Sequence, residues 1–210
     1  DSPMSRGLGD VYKRQSWCPL PWAQVAVHNS GEYRSCIQAR TCKKTKGILK
    51  DDNDNVMRAD THSIDDVRNA PLLKDVRKSM LDGERHSMCV RCNDEDDAKM
   101  ASRRRNAIRE YYNKYNYDYW KAESSTMPDG TLVIDKAPVL EWDIRLGNLC
   151  NIKCRMCHPS ESTQWYNEWF DTMFQGFKTD FTRVELIKDK NKVKLKNEIY
   201  QWNDIPYFFD

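Results

Sequence analysis

"CNIKCRMC", residues 150–157, gathers three of the chain's eight cysteines, Cys150, Cys154 and Cys157, into one short segment. It follows "PVLEWDIRLGN" (138–148), in which 139–146 reads as a strand, and precedes "ESTQWYNEWFDTMF" (161–174), which reads as a helix burying Trp165, Trp169, Met173 and Phe170. A strand, a ligand-bearing loop and a helix in that order form the first unit of a β/α barrel, an architecture that carries its chemistry at the carboxyl ends of its strands. The expected fold class is α/β, with a small α+β module ahead of it.

Three soft ligands in one loop point to a metal. Structural zinc takes four tetrahedral nitrogen or sulfur ligands. The nearby fourth donor, His158, adjoins Cys157 and is poorly placed to close the same tetrahedron, so a closed zinc site is disfavoured there. A four-iron cluster offers four metal corners. With three of them held by Cys150, Cys154 and Cys157, one iron stays open to a small molecule.

The other five cysteines, Cys18, Cys36, Cys42, Cys89 and Cys92, form a separate amino-terminal set. "CVRC" (89–92) is one short-spaced pair, and Cys18 with Cys36 could complete it around either zinc or an iron–sulfur cluster. Cys42 is either a non-ligating thiol or a replacement for Cys36, and the spacing after Gly31 favours Cys36. A disulfide framework is arithmetically possible but suits small secreted domains better than 210 residues with long helical stretches.

The cysteine loop after its strand resembles that of radical S-adenosylmethionine (SAM) enzymes. The resemblance implies a [4Fe-4S] cluster held by Cys150, Cys154 and Cys157, whose open iron chelates SAM and whose electron splits it into methionine and a 5'-deoxyadenosyl radical. Met156 occupies the position where the family places a residue beside the adenine; an ordinary loop-packing role is the other reading. Cys18, Gly31, Cys36 and "CVRC", with "CPLPW" (18–22) and "LLKDVRKSMLDGE" (72–84), are similar to the twitch module, the shortened relative of the SPASM domain. This similarity implies a second, auxiliary [4Fe-4S] cluster on Cys18, Cys36, Cys89 and Cys92, with no open iron and hence a conduit or structural role. It also implies a cytoplasmic oxidoreductase fed by a flavodoxin or ferredoxin and acting on an unknown substrate, a peptide being the family-level expectation. Here the auxiliary module comes first, the reverse of the more familiar order.

The expected organisation is a twitch-like domain over 16–122, a linker over 123–137 carrying the Asp129-Gly130 turn, and the start of the barrel over 138–210. "DVYKRQ" (10–15) back-translates to a transposon-adapter end, so residues 1–15 are expected to be read-through. Further barrel units and a Gly-Gly-Glu stretch are not found after Cys157, so the chain is expected to be a fragment inactive alone. Within the first domain, "AQVAVHNSGEYRSC" (23–36) reads as a hairpin turning at Asn29-Ser30-Gly31, 43–61 as a surface loop, and 94–121 as helix. Pro71 to Gly83 reads as a helix with Leu72, Leu73, Val76, Met80 and Leu81 on one stripe. His28, His62 and His86 have no ligand spacing.

Charged residues make up 31% of the chain yet the net charge is only +2, so no global field argues for nucleic acid or membrane. "DDNDN" (51–55), "NDEDDAK" (93–99) and "KDKNKVKLK" (188–196) read as solvated faces. "REYYNKYNYDYW" (109–120) could stack bases, but an amphipathic helix laying Tyr112, Tyr115 and Tyr119 on its neighbour is the preferred reading. No apolar run approaches the roughly 18 residues of a membrane span. The competing functional reading is a zinc-stabilised binding module without catalysis.

Overall fold

A computed structural model describes residues 15–41, 46–145, 147–174 and 186–196. These divide into two compact units: the chain up to Val27 together with Glu32–Asp143, and His28–Gly31 together with the chain from Ile144. The architecture is mixed, with small sheets and several helices.

In the first unit α1 (Leu20–Ala23) starts from Pro19 and Pro21, which fix φ in a first turn where no N–H is needed. It runs into β1 (Gln24–Val27), which turns back on β2 (Tyr33–Arg34) with Val27 opposite Tyr33. The turn is the one the sequence predicts: Gly31 N–H donates to His28 O at 2.8 Å, and Gly31 sits at φ 80°, where a side chain would be strained. β3 (Glu141–Ile144) completes a sheet of order β2-β1-β3. The strand read as the opening of a barrel is thus the sheet neighbour of β1.

Residues 46–59 depart from the expected plain loop. Antiparallel bridges join Arg34 to Ile48, Lys50 to Val56 and Glu32 to Arg58. Leu49, Met57 and Ala59 point inward and are buried. The acidic run is the turn of this excursion: Asp51 Oδ1 accepts from the backbone N–H groups of Asn53 (2.9 Å) and Asn55 (2.8 Å).

After α2 (Ile64–Arg68), capped by Ser63, α3 (Pro71–Leu81) forms as expected. It closes in a Schellman motif, with Glu84 N–H to Ser79 O at 2.7 Å and Gly83 N–H to Met80 O at 3.2 Å. Leu73, Val76 and Met80 are buried, and so is Arg77, at 0% exposure. The Arg77 guanidinium donates to Gly130 O (2.8 Å), Pro21 O and Arg68 O (both 2.9 Å) and Asn69 Oδ1 (3.2 Å). Burial, with Arg68 close by, works against its charge, and these four acceptors stabilise the charge in place.

The stretch read as one helix over 94–121 is three pieces. α4 (Val90–Asp97) ends before Lys99, at φ 59°; α5 (Arg103–Tyr115) starts from the Ser102 cap; α6 (Tyr119–Ser124) starts from the Asp118 cap. Asn116 in the left-handed region ends α5, so α6 does not continue its helical phase. The expected tyrosine stripe is corrected accordingly: Tyr111, Tyr117 and Tyr119 are buried and Tyr112 is exposed. The tyrosines a base would stack on are mostly core.

Residues 123–137, read as a linker, pack into the same unit. Trp22 Nε1 donates to Thr126 Oγ1 at 2.7 Å, Thr126 and Leu132 form a bridge, and Leu132 and Ala137 are buried. In the second unit a 3-10 turn (Thr163–Trp165) leads into α7 (Tyr166–Phe174), and β4 (Leu186–Asp189) pairs antiparallel with β5 (Lys192–Leu195). Most of the basic run read as a solvated face therefore belongs to a hairpin, with Leu195 buried. Trp165, Trp169 and Phe170 are half-buried, not buried, and the side chain of Met173 lies outside the described residues. Among the described residues no helix is long and apolar enough to cross a membrane.

Replacing Arg77 with Met strands several buried acceptors and is expected to lower the unfolding free energy by about 3 kcal/mol or more. Urea denaturation measures this, and a loss under about 1 kcal/mol would mean that the carbonyls find other donors. Gly130→Ala should be damaging as well: Gly130 sits at φ +86°, and a Cβ there would collide with the Lys74 carbonyl.

Candidate metal centre

Four of the predicted ligands meet. Cys18, Cys36, Cys89 and Cys92 line one small pocket in the first unit. Cys18 enters from the residue before Pro19, Cys36 from the end of β2, and Cys89 and Cys92 from the start of α4, where i and i+3 share a face. Leu20, Ala39, Met80 and Met88 form apolar walls, and Arg91 and Arg104 are the lining cations. His86, without ligand spacing in the sequence, fixes the approach to the CxxC pair. Its Nδ1 accepts from Met88 N–H at 3.0 Å, which places the ring proton on Nε2, 2.9 Å from Asp75 Oδ2.

The main chain around these sulfurs supplies donors. Backbone amides of Leu20, of Gln38 and Ala39, and of Arg104 favour the thiolate forms of Cys18, Cys36 and Cys92 respectively. A neutral thiol is a weak acceptor, whereas a thiolate gains from such bonds. Burial opposes them: it pushes the Cys18 thiol well up, with Cys36 adding to the effect, and Cys36 up to about 11. Burial raises Cys92 too, against the pull of Arg104. The pocket thus disfavours bare thiolates while offering them hydrogen bonds, the combination in which a bound cation completes the site. The four side chains surround a volume without closing on one point: among the described residues no group of three or more Cys, His, Asp or Glu donors converges as around a single ion. The donor type, four thiols from three segments, is the one that suits a cluster with thiolates on its corners.

The second set lies on the loop of the other unit. Asn148, nearly buried, anchors its base. Its side-chain amide donates to Pro159 O (3.1 Å) and to the Tyr166 hydroxyl (2.7 Å), and its carbonyl accepts from Thr163 N–H at 3.1 Å. Ser162 Oγ donates to Ile152 O (2.9 Å), and Trp165 Nε1 to Cys154 O (3.0 Å). Lys153 reaches Glu168 at 2.6 Å and lies over the Trp165 ring. Ile152 N–H donates to Cys150 Sγ at 3.4 Å, and Cys157 N–H closes a turn onto Cys154 O at 3.0 Å. Desolvation, with Cys154 next in weight and Cys150 contributing, raises the Cys157 thiol.

His158 is engaged elsewhere, its Nδ1 2.7 Å from Ser160 Oγ. The donor set is therefore three thiols, which fits a cluster with one corner left over. Met156 is 93% exposed and does not pack within the loop, and Leu149 and Ile152 are exposed beside it. Cys42 lies outside the described residues; none of the seven described cysteines is in a disulfide. Sequence reasoning misses Asn148, Ser162 and Arg104. Only the Gly147-Asn148 turn signal ahead of the cysteines hints at the first of them. No protein-family model, curated protein or solved structure matches the chain.

The raised Cys36 thiol has a pH consequence for the metal-free protein. The folded state keeps this proton up to about 11, whereas the unfolded chain loses it near 9.0, so its contribution is intact below pH 9 and lost as pH rises through 11. Between those values the unfolding free energy of the unsubstituted protein should fall by about 2–3 kcal/mol more than that of Cys36→Ser, read from denaturation curves at stepped pH.

Proposed function

We propose that this chain belongs to a radical SAM enzyme, with the SAM-binding [4Fe-4S] cluster on Cys150, Cys154 and Cys157 and an auxiliary [4Fe-4S] cluster on Cys18, Cys36, Cys89 and Cys92. The observation that carries the reading is that four thiols from three separate segments line one apolar pocket. The three thiols of the second loop support the second half of the reading.

When bound, such a cluster supplies the electron that cleaves the carbon–sulfur bond of SAM. The chain's own residues do the rest. Asn148, Ser162 and Trp165 hold the loop in shape, and Ile152 N–H offers a hydrogen bond to Cys150 sulfur. Met156, exposed between Cys154 and Cys157, is available to lie against an adenine ring, where its polarisable sulfur makes a favourable contact. In the first unit the apolar walls limit water around the auxiliary centre, which suits a conduit or structural element better than a substrate site.

Anaerobic reconstitution with iron and sulfide should give brown protein with about eight iron atoms per chain, four for each cluster. Cys154→Ala should reduce this to about four and abolish the change that SAM produces in the electron paramagnetic resonance spectrum, while Cys92→Ala should remove iron and leave the SAM response. Colourless protein with stoichiometric zinc would establish the binding-module reading instead. Iron unchanged in Cys154→Ala would overturn the assignment of the loop.

A further inference from the structure

Arg104 is a side chain of the first unit whose placement the apolar core does not explain. It is 3% exposed, near the start of α5, on the wall of the four-thiol cavity. Its Nη1 donates to Asn93 Oδ1 (2.9 Å) and Ser16 O (3.3 Å), its Nε to Asp96 Oδ2 (2.9 Å), and its Nη2 to the same Asp96 oxygen. Asn93 and Asp96 belong to α4, the helix that carries Cys92, so one guanidinium clamps that helix from the side of α5. The backbone N–H of Arg104 belongs to the first turn of α5, has no partner within its own helix, and favours the Cys92 thiolate.

The other cations nearby are paired differently. Arg91 is half-exposed and bound to Glu95 at 2.9 Å, and Arg103 is held by Glu141 at 2.7 Å on the side of β3. A centre bound by four thiolates has more negative charge than its surroundings tolerate, and a buried guanidinium at its wall offsets part of that charge. Glu95 and, after it, Asp96 work in the opposite sense on the same sulfur.

We propose that Arg104 is the positioning residue of the four-thiol centre: it fixes Cys92 through the clamp on α4 and sets, against Asp96, the negative charge that the centre can hold. This rests on the reading of Cys18, Cys36, Cys89 and Cys92 as one centre, and its test separates the two. In the full chain with Cys150, Cys154 and Cys157 replaced by Ala, the centre is reconstituted anaerobically with iron and sulfide, and its affinity for iron is measured against a competing chelator. Relative to that background, Arg104→Met should weaken iron binding at least tenfold, Arg104→Lys by no more than threefold, and Asp96→Asn should strengthen it.

A purely structural clamp predicts a different pattern, with Asp96→Asn weakening binding in step with Arg104→Met. That result, or binding within twofold in all three variants, overturns the inference. If Arg104→Met does not fold, the opposite shifts of Arg104→Lys and Asp96→Asn decide. A background protein that takes up no iron overturns the centre itself, and this inference with it. After iron–sulfur reconstitution the same logic expects a reduction potential that falls in Arg104→Met and rises in Asp96→Asn.

Discussion

The buried guanidinium of Arg77 is the constraint around which the first unit is arranged. It draws together the carbonyls of Pro21, Arg68 and Gly130 and the side chain of Asn69, and so ties α1, the end of α2 and the 126–132 turn to the middle of α3. Asn69 extends the network, donating to Leu132 O at 3.1 Å and accepting from Leu132 N–H at 2.8 Å. Arg68 adds donation to Trp22 O and Ala137 O. None of these carbonyls lies in a regular ladder, and each would otherwise be a buried acceptor in want of a donor. One long side chain with five donors in a fixed plane serves irregular segments better than an apolar core could. Because α3 also presents Met80 to the cysteine cavity and α1 begins just after Cys18, the geometry of the thiols depends on the same network.

The features that were legible in the sequence are those whose signal is local. Pro71, the apolar stripe and Gly83 bound α3, and the Asn29-Ser30-Gly31 turn sets the hairpin. The CxxC spacing places Cys89 and Cys92 on one helical face. The features that escaped reading depend on distant partners. Arg68, Arg77 and Arg104 carry the charge that ordinarily marks a surface, and nothing in their neighbours announces the carbonyls that receive them. The 46–59 excursion hides three inward residues, Leu49, Met57 and Ala59, in a polar stretch whose pairing partner is more than ten residues upstream. The division of 94–121 was signalled by Ser102 and Asp118, both good caps, and by Asn116, but a continuous run of helix formers outweighed them.

The two cysteine sets differ in the way expected of different tasks. The first is buried, walled by apolar side chains and drawn from three segments; the second comes from one loop whose apolar residues face outward. A loop held by Asn148, Ser162 and Trp165 keeps its shape from hydrogen bonds at its base and on its flank, which leaves its outer side to other contacts. The sequence distinguished the sets by spacing alone, and their surroundings give that distinction a physical content.

The chain topology of the four-thiol cavity has one more implication. A group bonded to Cys18, Cys36, Cys89 and Cys92 would close nested loops spanning most of the first unit, and so act on the unfolded ensemble as a multi-point cross-link. Cross-links that close long loops remove conformational freedom from the denatured chain, by about 3–5 kcal/mol for a single bridge. Such a centre would therefore govern how readily this unit opens, and its loss to oxygen or a chelator would register first as faster proteolysis between Cys36 and Cys89.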